Sequence, residues 1–430
     1  MKNNVWTVIT LTILTTAITG CSLNSNNQEP DFNLNPASTY ELLRLTPTQQ
    51  EMVNHSNDFA FNLFRQIISS KSSNPNLSSK SIIVSPISIT YALGMLNNGA
   101  AGNTQQQINN VLGFGDTGAD SINNFCCKML KSAPALDTLT QIMIANTIFM
   151  NQGYELKPDF KHKAKTYYNA DPMTLNFYDD RTLEIINRWA SDNTQQMIDK
   201  VLDESTFDPR AVSYLLNAIY FKGSWTFKFD KEKTVEEKFI HAGNSDEVTL
   251  RPMMRQKNDF EYAETDDYQA LRLPYGNGSF QMTVLLPKEK NENLNDIPQV
   301  PSSEVWNKIN QDMSTALVDV KLPAFETGTD IELMEIMSAL GMPDAFNPET
   351  ADFSKFCDEP TYIDLMKQVA KIKLDEEGTE AAAVTVIGMR KNAVGDTPRY
   401  VIFHANHPFI YVISEQNTGA ILFIGMYTGY

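Results

Sequence analysis

The stretch Glu376-Glu377-Gly378-Thr379-Glu380-Ala381-Ala382-Ala383-Val384-Thr385 decides how this chain is read. Its alanine run favours helix. It opens at a glycine, however, and runs into Val384, Thr385, Val386 and Ile387, β-branched residues that favour strand. Strand-like apolar segments flank it, residues 370–374 before and residues 400–403 and 409–413 after. Between lies a charged, polar tip from Gly388 to Asp396, which reads as exposed loop. With a period of two, Thr379, Ala381, Ala383, Thr385 and Ile387 share one face. That face is small where it begins, so it could slide between two existing strands without a clash. The segment therefore reads as a loop able to become a central strand.

Working outward, 430 residues suffice for a large core, and length alone suggests two or three domains. Hydrophobic content of 42% and charged content of 20% are ordinary for a globular protein. The net charge of −17 argues against nucleic acid and anionic membrane surfaces as partners, and it could steer cationic proteins toward the chain. Cys126, Cys127 and Cys357 form no CxxC pair and no disulfide framework, and the adjacent pair reads as helix packing. The five histidines, His55, His162, His241, His404 and His407, lack metal-site spacing. No HExxH, GxSxG or P-loop pattern occurs, so neither an enzyme, a metal nor a cofactor is expected. Gly113-Phe114-Gly115-Asp116-Thr117-Gly118 is a literal GxGxxG, but it follows a helical pattern rather than a strand and reads as a helix end and turn.

At the start, Lys2 precedes an apolar run over residues 5–18, which is short for a membrane span and fits a signal peptide. The run ends Ile18-Thr19-Gly20-Cys21, which resembles a bacterial lipobox and implies cleavage before a lipid-modified Cys21. The resemblance implies anchoring in a cell envelope, at an outer membrane or the cell surface rather than an inner membrane. Residues 22–36 are rich in Asn, Ser and Pro and read as a tether. The domain divisions expected are signal peptide 1–20, lipidated Cys and tether 21–50, and one folded domain 51–430. Within that domain, Phe59, Phe61, Leu63, Phe64, Ile67 and Ile68 predict a helix, with Asn57-Asp58 as its cap. Ser81-Ile82-Ile83-Val84 predicts a buried strand, and Ser85-Pro86 starts the next helix with proline at its first position. Residues 142–150 alternate as a strand, and residues 214–225 form a nearly continuous apolar strand suited to a sheet covered on both faces.

These segments together resemble the serpin family. The hinge resembles the serpin pattern Glu-x-Gly-Thr-Glu-Ala-Ala, and residues 83–100 resemble serpin strand 6B and helix B. Tyr214 to Trp225 resembles strand 3A, and His407-Pro408-Phe409-Ile410 and Leu422-Phe423-Ile424-Gly425 resemble the C-terminal strands. The likeness spans residues 51–430 and argues for one domain. It implies an α+β fold with three β-sheets, a large central sheet A, eight or nine helices and an exposed reactive-centre loop over about residues 376–399. It further implies an inhibitor that traps serine proteases, and possible cysteine proteases, as an acyl-enzyme by loop cleavage and insertion. Glu376, Glu377, Gly378, Thr379, Glu380, Ala381, Ala382 and Ala383 are then the hinge. Family counting places the scissile bond between Asn392 and Ala393, while Arg390 and Lys391 suit trypsin-like enzymes better. Ser85, Ser88, Asn217 and Gln368 would guard sheet opening, with Gln368 where the family usually has histidine, and Trp225 would pack at the top of the gap. The helix that binds heparin in some serpins here carries only Lys128 and Lys131, so heparin is not expected. A monomer is expected. The rival reading, a non-inhibitory serpin serving as binding module or chaperone, would be favoured by bulky, charged or proline residues in the hinge. Between Thr379 and Thr385 the only such residue is Glu380, at an outward position.

Overall fold

The computed structural model describes residues 42–72, 80–241, 244–288, 300–379 and 399–430. Among these are eight α-helices: α1 (Pro47–Ser72), α2 (Pro86–Asn97), α3 (Gly102–Val111), α4 (Ala119–Leu136), α5 (Pro158–Tyr168), α6 (Thr182–Asn193), α7 (Ser303–Asp312) and α8 (Met334–Leu340). Helix α1 begins ten residues ahead of the expected cap at Asn57. Thr46 Oγ1 accepts from Gln49 N at 3.2 Å and Gln49 Oε1 accepts from Thr46 N at 3.1 Å, a reciprocal capping box with Pro47 at the first helical position. Asn57 instead lies inside the helix, where its amide donates to Gly419 O and accepts from Ile421 N. Leu43 is buried, and Asn417 and Lys128 bind the carbonyls of Leu43 and Arg44, so the folded domain starts before residue 51. Helix α2 is buried on every side, as an apolar helix at the centre of a large domain must be. After α3, Gly113 and Gly115 take positive φ in a turn closed by Phe114 N to Asn109 O, so the GxGxxG is a helix end.

The strands are β1 (Ile82–Val84), β2 (Thr140–Asn151), β3 (Met173–Leu175), β4 (Ser213–Ser224), β5 (Val235–His241), β6 (Asn244–Glu264), β7 (Tyr268–Tyr275), β8 (Phe280–Pro287), β9 (Ser314–Pro323), β10 (Phe325–Glu332), β11 (Leu365–Asp375), β12 (Gly378–Thr379), β13 (Tyr400–His404), β14 (Phe409–Glu415) and β15 (Ile421–Tyr427). Six of them form one sheet in the order β10-β11-β12-β4-β2-β3. The other nine form a path β1-β15-β14-β8-β7-β6-β9-β13, with β5 on β6. The two smaller sheets expected besides the central one are thus joined, because β6 is 21 residues long: it pairs β5 at one end and β7 at the other.

The six-stranded sheet is covered on both faces. One face joins the main core, which includes α2, while the other buries Phe149, Ile186, Ala190, Tyr214 and Leu216, with Phe149 edge-on to Trp189 of α6. β4 is buried along almost its whole length, which explains its unbroken apolar sequence. It pairs antiparallel with β2 from Thr140–Gly223 to Met150–Ser213, and parallel with β11 from Leu365–Tyr214 to Lys371–Tyr220.

Candidate functional site

The parallel ladder between β11 and β4 stops at Lys371–Tyr220, although both strands continue. Between their separated ends sits β12. Thr379 pairs with Leu374 on one side and Gly223 on the other, and Gly378 pairs with Asp375 and Ser224. The chain therefore leaves β11, turns through Glu376 and Glu377, and re-enters the same sheet as a two-residue wedge antiparallel to both neighbours. Gly378 has φ +147, and a Cβ there would lie 2.1 Å from Gly223 O and 2.6 Å from Ser224 Cα, so only glycine fits the rung.

The turn is held by groups from the chain that follows β4. Trp225 N donates to Glu377 O at 2.9 Å, Phe229 N to Glu376 O at 3.0 Å, and Trp225 Nε1 to Asp375 O at 2.9 Å. Asp375 Oδ1 accepts from Glu377 N, the side-chain-to-backbone bond that favours aspartate in turns. The Trp225 ring stacks on Tyr275 with centroids 4.4 Å apart and planes 9° apart. The Tyr275 hydroxyl meets Thr379 Oγ1 at 2.8 Å, and burial raises the phenol's pKa far above its usual value, so it stays protonated. Glu376 Oε1 accepts from Thr234 Oγ1 at 2.6 Å. Glu377 pairs with Lys228 at 2.7 Å and Lys231 at 3.3 Å, and Lys228, with Lys231 behind it, holds the carboxyl below its usual range.

Trp225 thus packs against the turn above the separated ends of β11 and β4, and hinge residues Glu376 to Thr379 lie in that turn and in β12. Thr379 is 0% exposed and belongs to the sheet, so residues 376–379, expected in the exposed loop, form a half-buried turn and a buried strand instead. The physical reason is that small Thr379 and Gly378 already fit the gap and complete backbone hydrogen bonds that the separated strand ends would otherwise leave open.

Lower in the sheet, Gln368 Oε1 accepts from Ser85 N at 2.9 Å, and its Nε2 donates to Ser85 O at 3.0 Å and Asn217 Oδ1 at 2.6 Å. Asn217 Nδ2 donates to Asn146 Oδ1 at 2.6 Å, and Ser85 Oγ to Leu422 O at 2.7 Å. This buried amide chain ties β11, β4 and β2 to the start of α2. Gln368 and Asn217 face each other across the β11–β4 ladder, so the sheet cannot open here without parting them. Ser88 does not join: its hydroxyl is buried without a partner. None of the groups in the chain titrates near neutrality.

Sequence reasoning missed Tyr275, Lys228, Lys231, Thr234 and Asn146. Asn146 and Tyr275 lie in segments read as strands, whereas Lys228, Lys231 and Thr234 lie on the connection after β4, and no local signal marks any of them. Glu380, Ala381, Ala382, Ala383, Arg390, Lys391, Asn392, Ala393 and Cys21 lie outside the described residues. Cys126, Cys127 and Cys357 are buried and join no disulfide among the described residues, and burial is the largest cause that pushes the Cys126 thiol up. Among the described residues no group of three His, Cys, Asp or Glu is placed to hold a metal.

A family model described as serpin, serine protease inhibitor, matches residues 54–429. The chain is 32% identical over 378 residues to a leukocyte elastase inhibitor of Xenopus tropicalis, covering 86% of this chain and 97% of that protein. It is 30% identical over 433 residues to an uncharacterized serpin-like protein of Thermococcus kodakarensis, covering 97% of each. Among solved structures, the native thermophilic serpin tengpin aligns with a TM-score of 0.78 and 27% identity over 90% of this chain and 95% of that one. Native protease nexin-1 with heparin aligns with a TM-score of 0.77 and 27% identity over 89% of this chain and 100% of that one. With the family model spanning most of its length and a relative 32% identical, the chain belongs to the serpin family of serine protease inhibitors.

Proposed function

We propose that this serpin inhibits serine proteases by trapping them as acyl-enzymes, with trypsin-like enzymes as the main targets. The observation that supports this reading most is the Gly378–Thr379 wedge, because the first rung of an inserted strand is already in place. The protease serine oxygen attacks the scissile carbonyl, the peptide bond breaks, and the serine's proton passes to the new amine, which begins a C-terminal fragment held in the fold by β13, β14 and β15. The acyl ester remains on the N-terminal side. The residues after Thr379 then enter between β11 and β4 and draw the protease along, distorting its site before water can release it. The test is incubation with a small protease panel, followed by denaturing gels and intact-mass analysis. A complex resisting denaturation supports the reading, whereas clean cleavage without a complex favours a non-inhibitory binding module or chaperone.

The specificity proposal rests on Lys391. A trypsin-like pocket carries a buried carboxylate that an uncharged residue leaves unpaired. Lys391→Ala is expected to slow inhibition of trypsin-like enzymes by about 100-fold or more, and Asn392→Ala by far less. A released fragment beginning at Asn392 is the expected mass. One beginning at Lys391 would make Arg390 the reactive residue, and one beginning at Ala393 would make it Asn392.

We further propose a lipid anchor at Cys21 that holds the inhibitor in the cell envelope. Among the described residues no helix is long and apolar enough to cross a membrane. Cys21→Ser is expected to move the protein from the membrane to the soluble fraction, and unchanged partitioning would make the lipobox match accidental. A heparin site on α4 is not part of the proposal: its basic residues are Lys128 and Lys131, and Lys128 is engaged by Arg44 O and Gln49 Oε1. The chain is proposed to act as a monomer, without a cofactor or nucleic acid.

A further inference from the structure

Strand insertion has a costly first step. Two paired strands must separate, and a turn must be fixed, before any new rung repays the ordering. In this protein both have already happened in the intact chain. The parallel ladder ends at Lys371–Tyr220, the wedge pairs at Leu374 and Gly223, and Ile372, Lys373, Phe221 and Lys222 flank the space between. Among the described residues, then, no ladder joins β11 to β4 between the wedge and Lys371–Tyr220.

What keeps the turn in place is partly electrostatic. The three turn carbonyls are bound by Trp225 and Phe229, but the charged clamp comes from Lys228 and Lys231 on Glu377. These lysines sit on the segment that directly follows β4, whereas Glu377 follows β11. The clamp thus joins the upper ends of the two strands that must stay apart. Lys228 is the stronger partner, closer and less exposed than Lys231. Among the described residues, both lysines pair with Glu377 and neither joins the amide cluster around Gln368.

We propose that Lys228 and Lys231 are positioning residues that latch Glu377 and so keep Gly378–Thr379 as a preformed nucleus for loop insertion. The inference rests on the inhibitory reading for its consequence, since the latch sets how often an acyl-enzyme is trapped rather than released. Without it the wedge is in place a smaller share of the time, and insertion more often begins with the costly step while deacylation proceeds unaided.

The test is the Lys228→Ala/Lys231→Ala double variant, with Lys228→Arg and a charge-swapped Glu377→Lys/Lys228→Glu variant beside it. Two partly exposed ion pairs are expected to change the insertion rate by about three- to tenfold. The double variant should consume correspondingly more inhibitor per protease trapped, with the rate of first attack on the loop unchanged. Lys228→Arg should behave as the original, and the charge swap should recover part of the loss. Amide hydrogen exchange on the intact protein supplies a readout that needs no protease: protection at Gly223, Leu374 and Thr379 should fall in the double variant. Unchanged exchange at those amides would overturn the latch. So would faster attack at unchanged stoichiometry, which would make the wedge a restraint on the loop. If the original protein forms no stable complex with any protease, the inhibitory reading fails, while the exchange measurement still decides the latch.

Discussion

Cleavage of the intact protein between Met389 and Val394 is expected to raise its melting temperature by about 10 °C or more. Once cut, the hinge segment is free at its far end and can fill the sheet below the wedge. Continuing the two-residue period from buried Thr379 places Ala381, Ala383, Thr385 and Ile387 on the same inward face. Each new rung gains hydrogen bonds on two sides, with net values of roughly 1 kcal/mol each, and a buried Ile adds about 2 kcal/mol. Against this stands the loss of the ladder between β11 and β4, which spans seven paired positions and the Gln368–Asn217 bond. The new strand replaces that single ladder with two, so the balance favours the cut form by roughly 10 kcal/mol. For a domain of this size each kcal/mol moves the midpoint by about 1 °C. Differential scanning calorimetry of the nicked and intact forms is the measurement. A nicked protein that melts at or below the intact one would remove the energetic basis of trapping.

On that expectation the intact fold is held away from a more stable arrangement, for which the sequence supplies part of the signal. The small-residue hinge, the continuous apolar β4 and the proline-started α2 could each be read locally, because each follows from propensity, periodicity or a turn residue. The meeting of Gln368 with Asn217 and Ser85 could be read only through family likeness, since those residues stand far apart in the chain. Ser88 shows the limit of that transfer: with glutamine at 368, both amide atoms are satisfied by the Ser85 backbone and Asn217, leaving Ser88 out.

The start of α1 was legible and misread. Thr46-Pro47-Thr48-Gln49 is a capping-box signature, but the apolar periodicity becomes strong only further on, which draws the boundary toward Asn57. The state of the hinge was not legible at all. Gly378 and Thr379 are the same residues whether the hinge lies in the loop or in the sheet. The outcome depends on Tyr275, Trp225, Lys228 and Lys231, which reach the turn from other elements.

That buried position changes what a hinge substitution does. Thr379→Arg is expected to turn the inhibitor into a substrate, lowering the yield of stable complex per cleavage by about tenfold or more, since 1.4 kcal/mol of extra cost suffices for that. Thr379 is fully buried, with its hydroxyl on Tyr275 and its backbone between Leu374 and Gly223. An arginine kept there would bury a cation with no carboxylate beside it, which costs several kcal/mol. A wedge of two rungs cannot hold against that, so Gly378 and the arginine leave the sheet in the resting protein as well. The body remains folded, because the ladder from Leu365 to Lys371 and the Gln368 cluster do not depend on the wedge. After cleavage the same arginine would have to pass first into the gap, so deacylation outruns insertion. Thr379→Ser, which keeps the hydroxyl for Tyr275, should trap nearly as well as the original. Circular dichroism would confirm the fold, and denaturing gels would count complex against cleaved inhibitor. Should Thr379→Arg trap protease at the original stoichiometry, Gly378–Thr379 is not the leading end of the inserting strand.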